Sequence, residues 1–546
     1  MSHPAAPPPR REFALAAALF VLLTVVLTWP QAVRLNSVSP HMDAPFNLWR
    51  LAWFAHAMAT DPRHLFDANI FWPEKNTLAY SDAMPFEGVL AAPFLWAGVP
   101  TPIVYNLLLL ASFVFSACAA YALARHITGR TSAAIVAGVV FAFAPFRFDH
   151  YMHFELLWSG WMPLAVLALL RAFEDGRARW GALTGLFAAL QTLSSIYYGL
   201  YLAVVLAVMT IVLALGKPVR PRGRTMAGLA CGAVLAGALV LPYIRPYQQA
   251  RAVVGERGFD EVRLWSAGPK HFLAATPDNW LYGSFSSDLS FPEKRLFVGI
   301  VGLLLAGIGL WPPFDRRRIA CLIGLAVAVN IAIGFRGVGY HVLWERLDLV
   351  RGLRAPARGG QLFLLFTGLF AAWGAARLLT WFERTPLAWA RFVVPALTAL
   401  LALEFATMPV TLVEVPPALS VSRWLADQPA GPVLVLPVPK HNTLPGHERD
   451  VMYQSTFHWK PLINGHSGNW PLVYMNMLFA LDQFPSESGL AAVKRAGVRY
   501  IVLIERWYGA APYQAALAFL DARPDVTRRG EFADDTFGTT VFEVKP

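Results

Sequence analysis

Asp43 opens the run HMDAPFNLWRLAWFAHAMATDPRHLFDANIFWPEKNTLAYSDAMPFEG, residues 41 to 88. A carboxylate at this point could take a proton from an acceptor hydroxyl or hold a divalent metal. The run also carries Asp61, Asp67, Asp82, Glu87 and seven aromatic residues up to Trp72. Phe46, Trp49 and Trp53 recur at helical spacing, with Asn47, Arg50 and His56 around them. That pattern predicts an amphipathic helix lying in a membrane interface, where Trp is favoured. Asp43, just ahead of Ala44 and Pro45, also fits a helix N-cap. Both roles are open to it.

A second group lies in FRFDHYMHFE, residues 146–155, with Asp149, His150, His153 and Glu155. The two histidines are three residues apart and would share a helix face. Four titratable groups beside an apolar segment are costly unless they face water or a cavity. They could bind substrate, phosphate or a metal, or simply form a solvated helix end. Arginines form a third group. Arg245, Arg251, Arg257 and Arg263, with Lys270, fall in 244–270, and Arg346, Arg351, Arg354 and Arg358 fall in VLWERLDLVRGLRAPARGG. The guanidinium fork suits phosphate. Arg245, Arg354 and Arg358 are the candidates, the last two because they directly precede an apolar segment. The alternative is pairing with Glu256, Asp260, Glu261, Glu345 and Asp348, or contact with anionic headgroups. In YQSTFHWKPLINGHSGNWP, residues 453–471, His458 and Lys460 beside Trp459 could touch carbohydrate, or the segment could be packing surface. No GxSxG elbow frames Ser455. No Walker A, GxGxxG, HExxH or EF-hand pattern occurs.

The elements that must position these residues are mostly membrane spans. The 546-residue chain is 56% hydrophobic and 15% charged, against about 25% charged for a soluble domain. Eleven apolar stretches approach the roughly 17–25 residues of a span. They run near 13–30, 101–124, 131–146, 156–171, 180–195, 197–215, 225–243, 296–313, 319–335, 360–380 and 389–409. The break SSIYYG could join two of them into one interrupted hairpin. The run 88–99 is too short to cross.

The formal charge of +11 is carried largely by short basic runs between spans. They act as topology signals rather than as nucleic-acid contacts. Six such clusters share one parity, from Arg10 with Arg11 to Arg377 with Arg384. This places residues 1–12 in the cytoplasm. The long loop 31–100, residues 146–155, 244–295 and 336–359, and the C-terminal region fall on the other side. Residues 13–410 then form the membrane domain. From 411 the chain turns more polar. The β-type runs 433–438, 499–504 and 539–544 alternate with helical patterns at 418–427, 487–496 and 512–521, which predicts a small extracytoplasmic α/β domain. Cys118, Cys231 and Cys321 all sit in apolar stretches, without metal-ligand spacing.

A first span, a long outer loop opening on an acidic residue, about ten more spans and an outer C-terminal domain resemble a known superfamily. It is the GT-C superfamily of polyprenyl-phosphate-sugar-dependent glycosyltransferases, which includes the protein mannosyltransferases and lipid A aminoarabinose transferases. DAPFNLWRLAWFAHAM, LFDANIFWPEKNTLAYSD, RAPARGG and YQSTFHWKPLINGHSG are similar to bacterial membrane proteins placed near it. Asp43 matches the acidic position of the first loop, although Ala44 replaces the Glu of the mannosyltransferase pair. Asp149 or Glu155 could match a second acidic site. The resemblance implies an inverting transferase in the bacterial inner membrane. Asp43 would be its base, outer-face arginines would hold the phosphate of a polyprenyl-phosphate sugar, and a lipid, glycan or protein would accept it. Two other classes compete: a transporter or flippase of a lipid-linked glycan, and a non-catalytic glycan-binding scaffold. Neither an internal repeat nor paired broken helices, the marks of many transporters, is visible.

Overall fold

The structure, a computed structural model, describes residues 10–215, 222–384, 392–534 and 537–545. The proline-rich tip as far as residue 9 and the basic stretch 217–221 lie outside the described residues. The chain divides into two compact units. The first comprises Met1–Ser39, Asn106–Pro242 and Glu256–Leu412, the second Pro40–Tyr105, Tyr243–Gly255 and Val413–Pro546.

The first unit is helical. Among the described residues seven helices are long and apolar enough to cross a membrane: Thr101–Thr128, Thr131–Asp149, Phe154–Asp175, Ile196–Leu215, Gly223–Val254, Arg316–Arg336 and Pro356–Glu383. The other four of the eleven stretches read from the sequence are shorter or more charged. Arg10–Leu27 begins with three charged residues, Ala178–Ser194 has 17 residues, Ile300–Gly309 has 10 and Val393–Glu404 has 12. SSIYYG is a true break, because Ser195 is extended between two helices. The helix Ile300–Gly309 lies backbone to backbone on Gly360–Glu383. A Cβ on Gly374 would fall 1.9 Å from the Leu305 carbonyl oxygen, so glycine is needed for this approach.

The second unit is built on a four-stranded sheet. Val433–Leu436 pairs parallel with Tyr500–Ile504, which pairs antiparallel with Phe537–Val544, and that strand pairs antiparallel with Val526–Asp534. Side chains alternate between two cores, as the two-residue strand period requires. Leu434, Leu436, Ile501, Leu503 and Phe542 face helices that include Glu487–Arg495 and Ala510–Asp521. Val433, Val435, Tyr500, Val502 and Val541 face Phe46, Trp49, Trp53, Phe66 and Phe71. The 41–88 segment is thus a covering layer of the sheet. Its backbone is tied in at Phe71 N–H to Asn464 O (3.2 Å), Trp72 N–H to Leu462 O (2.8 Å) and Leu462 N–H to Asn69 O (2.8 Å). The helix Asp43–Thr60 forms as expected. Its aromatic side chains are buried in protein rather than in a lipid interface. Aromatic spacing marks an apolar face and does not say what covers it.

Candidate functional site

In the second unit, Asp43 is the first residue of the helix Asp43–Thr60. Met42 occupies the cap position without a side-chain cap bond, so Asp43 does not serve as the N-cap. Its Oδ1 lies 3.3 Å from Arg449 Nη2 and its Oδ2 3.6 Å from His41 Nδ1, with the side chain 21% exposed. Arg449 comes from the helix Glu448–Ser455 and is buried. Burial pushes it down to about 10, against the opposing pull of Asp43 and Asp450, so it stays cationic at neutral pH. Arg449 Nη2 also reaches His466 Nε2 at 2.9 Å. Arginine only donates, so Nε2 of His466 accepts and its proton sits on Nδ1.

The preceding residue, Glu448, is fully buried. It accepts from Asn464 Nδ2 (3.1 Å) and Gly465 N–H (2.9 Å). Burial raises its carboxyl to about 7, against the hydrogen bonds of Tyr474, Asn464 and Gly465. Glu448 thereby fixes the loop that presents His466. Phe46 and Trp470 flank that histidine at centroid distances of 5.3 and 5.5 Å.

The other sequence candidates of this unit do not join Asp43. Lys460 donates its amine to the Gln428 carbonyl at 2.7 Å, and His458 Nδ1 accepts from Lys460 N–H at 3.0 Å. Burial and Lys460 push His458 down to about 3. Trp459 stacks on His56 at 4.1 Å and packs near Trp53, which is the packing alternative for this segment. Arg245 is exposed on the helix Arg222–Val254, which continues past the expected span end.

In the first unit the 146–155 group and the RAPARGG arginines come together around a residue the sequence reading missed, Glu293. Its backbone is left-handed (φ 71°), strained for a side chain of this type. Arg358 grips it with two bonds of 2.9 Å, Arg354 Nη2 lies 3.4 Å away and His153 Nε2 3.9 Å. Burial alone would raise the Glu293 carboxyl. Arg358, His153 and Arg354 outweigh it and hold the group far below the carboxylate range. Asp149 accepts from Arg295 Nη1 at 2.8 Å and from Glu293 N–H at 3.1 Å.

His150 and His153 face each other through Nδ1 at 3.1 Å. Burial keeps His150 well below its usual range, so it is neutral. Glu155 is buried in the first turn of Phe154–Leu157, within electrostatic reach of Arg358. Gly360 explains part of RAPARGG. A Cβ there would fall 2.4 Å from Leu296 Cδ2, so glycine lets the Glu293 segment close on Arg358. Arg358 is thus used in charge pairing. Arg354 is the freer cation, with its side chain 33% exposed, its guanidinium 5.4 Å from the Trp265 ring and its N–H bonded to Tyr197 Oη.

Two signals could have found the missed residues. FPEKRLF puts Glu293, Lys294 and Arg295 directly before an apolar stretch, and GHERD puts Glu448 and Arg449 in one short turn. Among the described residues no group of three or more His, Cys, Asp or Glu could hold a metal. Asp43 already faces a guanidinium, so its surroundings do not fit a divalent cation.

This architecture, spans with a small sheet-bearing unit, is that of a multi-pass membrane protein with a GT-C-like fold. Residues 13–342 match the family described as "Domain of unknown function (DUF6311)", and the chain belongs to that family. No curated protein matches by sequence. Among solved structures, the arabinofuranosyltransferase AftD from Mycobacteria is similar over 100% of this chain and 40% of its own, with TM-score 0.64 and 17% identity. The chain therefore spans less than half the length of that protein. The apo oligosaccharyltransferase of Archaeoglobus fulgidus is similar over 90% of this chain and 69% of its own, with TM-score 0.50 and 13% identity.

Proposed function

We propose that the protein is a membrane glycosyltransferase that moves a sugar from a polyprenyl-phosphate-linked donor to an acceptor hydroxyl at the outer face of the bacterial inner membrane. The observation that carries this reading is the state of Asp43 within a GT-C-like fold. It is a part-exposed carboxylate at a helix start, 3.3 Å from Arg449 and 3.6 Å from His41. A part-exposed carboxylate is open to an acceptor hydroxyl and can take its proton. The acceptor oxygen attacks the anomeric carbon from the face opposite the phosphate, and the bond from that carbon to the phosphate oxygen breaks. The acceptor proton passes to Asp43, and polyprenyl phosphate leaves with inversion at the sugar. Arg354, charged and part-exposed, is assigned to the donor phosphate in its own unit.

The test is transfer from a polyprenyl-phosphate sugar by the full chain reconstituted in liposomes. The Asp43→Asn chain is expected to insert and melt like the parent and to form no new glycosidic bond. Full transfer by that variant would remove Asp43 as the base. Movement of the lipid-linked sugar across the bilayer without bond formation would replace the enzyme by a transporter.

A further inference from the structure

The helix Gly360–Glu383 has 24 residues and so measures about 36 Å. Arg358 and the Glu293 network lie at its N-terminal end. At its C-terminal end, also within the first unit, is an open cleft of about 650 Å³. Arg130, Arg318, Arg377, Arg384, Trp373 and Trp381 line it. We propose that this cleft binds the phosphate headgroup of an anionic membrane lipid.

Four arginines converge on one volume. Two acids answer them. Glu383 takes Arg130 through bonds of 2.7 and 2.9 Å, and Asp315, in the lining, accepts from Arg318 N–H as a helix cap. Two positive charges are left over. Arg318 and Arg377 also have a structural task. They donate to the carbonyls of Pro313 and Gly309, and of Ile308 and Pro312, at 2.7 to 3.2 Å. Each uses two of the five N–H groups a guanidinium carries. The Arg318 Nε is buried with no partner among the described residues. The exposed Arg384 has no side-chain hydrogen bond or ion pair among them.

A topology signal requires only basic residues at a span end. It does not require a cavity, nor a guanidinium held 4.9 Å over the Trp373 ring. The position favours a lipid over a free anion. Trp381 is 59% exposed and Phe314 38% exposed at the mouth, apolar surface that suits the boundary between headgroup and acyl chain.

The experiment uses the full chain in a zwitterionic detergent, titrated with short-chain phosphatidylglycerol, short-chain phosphatidylcholine or inorganic phosphate. Thermal shift and native mass spectrometry read binding. Phosphatidylglycerol is expected to bind and raise the melting temperature, and the other two to leave it unchanged. Arg384→Gln, at an exposed site that does not disturb folding, is expected to weaken phosphatidylglycerol about tenfold, the scale of one charge-assisted hydrogen bond. Arg384→Lys is expected to restore most of it. Equal binding of both lipids would overturn the proposal, as would unchanged affinity in Arg384→Gln. Stabilisation by inorganic phosphate equal to that by the lipid would make this a free-anion site and overturn it too.

Discussion

Asp43 and Asp149 are both carboxylates beside arginines, and the two regions treat them in opposite ways. Asp149 has a side chain 3% exposed, with one oxygen bonded to Arg295 and the other to the Glu293 N–H. Asp43 is 21% exposed, 3.3 Å from Arg449 Nη2 and 3.6 Å from His41 Nδ1. A carboxylate with both oxygens engaged in a buried network sets a backbone segment in place. One with access to solvent can meet an acceptor and exchange its proton. Exchanging each for asparagine breaks the comparison if it is wrong. Asp43→Asn is expected to lose about 10²- to 10⁴-fold in transfer rate, the usual share of a general base, with unchanged melting. Asp149→Asn is expected to lower the melting temperature first, with activity falling only as folded protein is lost. Parallel losses of rate and stability in both variants would erase the distinction.

Glu293 is the centre of the buried region, and its removal is the next largest effect. Arg358 would be left buried without its carboxylate, which costs about 3–5 kcal/mol in comparable pairs. Glu293→Gln is therefore expected to unfold at much lower temperature or denaturant, read by circular dichroism of the reconstituted chain. The sign with pH follows from the depressed carboxyl. The stabilisation is fully present above the unfolded carboxyl value near 4.5 and is lost as pH falls below it. Wild type and variant should approach one another in acid. A gap that stayed constant down to pH 3 would mean that the charge of Glu293 does not hold the network.

Glu448 gives the second unit a pH signature of opposite sign. Its folded carboxyl titrates near about 7 against 4.5 unfolded. A raised acid binds its proton more tightly in the folded chain. Its contribution therefore opposes folding progressively from pH 4.5 to 7 and levels off above, by about 3 kcal/mol at 1.36 kcal/mol per unit. Glu448→Gln is expected to lose less stability than wild type across that interval. Equal slopes in thermal melts at pH 5 and pH 8 would show that the carboxyl is not perturbed as described.

The sequence made the helices and three of the four sheet strands legible, because apolar periodicity reports burial directly. The runs 433–438, 499–504 and 539–544 overlap the strands Val433–Leu436, Tyr500–Ile504 and Phe537–Val544. The charged edge strand Val526–Asp534, carrying Arg528, Arg529 and Glu531, is not visible that way, since an edge strand can expose its side chains on both sides. The 41–88 segment was legible as unusual but not as a layer over the sheet, because the residues that cover it lie hundreds of positions away. The same holds for the sites. Asp43, Arg354 and Arg358 stand out by type and place, whereas Glu293 and Arg449 acquire meaning only through a partner distant in sequence.

Arg354 offers the smallest and sharpest test. It lies at the rim of the buried region, with one 3.4 Å contact to Glu293 and a third of its side chain exposed, whereas Arg358 has 7% exposed and two bonds of 2.9 Å to the same carboxylate. Loss of a charge-assisted contact to a phosphate costs about 1.5–3 kcal/mol. Arg354→Gln is expected to raise KM for the polyprenyl-phosphate donor about tenfold, the lower end of that range, with kcat and melting temperature nearly unchanged. Arg354→Lys should recover part of the affinity, because a point charge remains but the fork does not. Arg358→Gln should instead lower the melting temperature with little specific change in KM. Were Arg354→Gln to behave like Arg358→Gln, the arginine would belong to the buried scaffold. The first unit would then offer the donor no cation outside its own ion pairs among these candidates, and the phosphate would have to be sought on other residues.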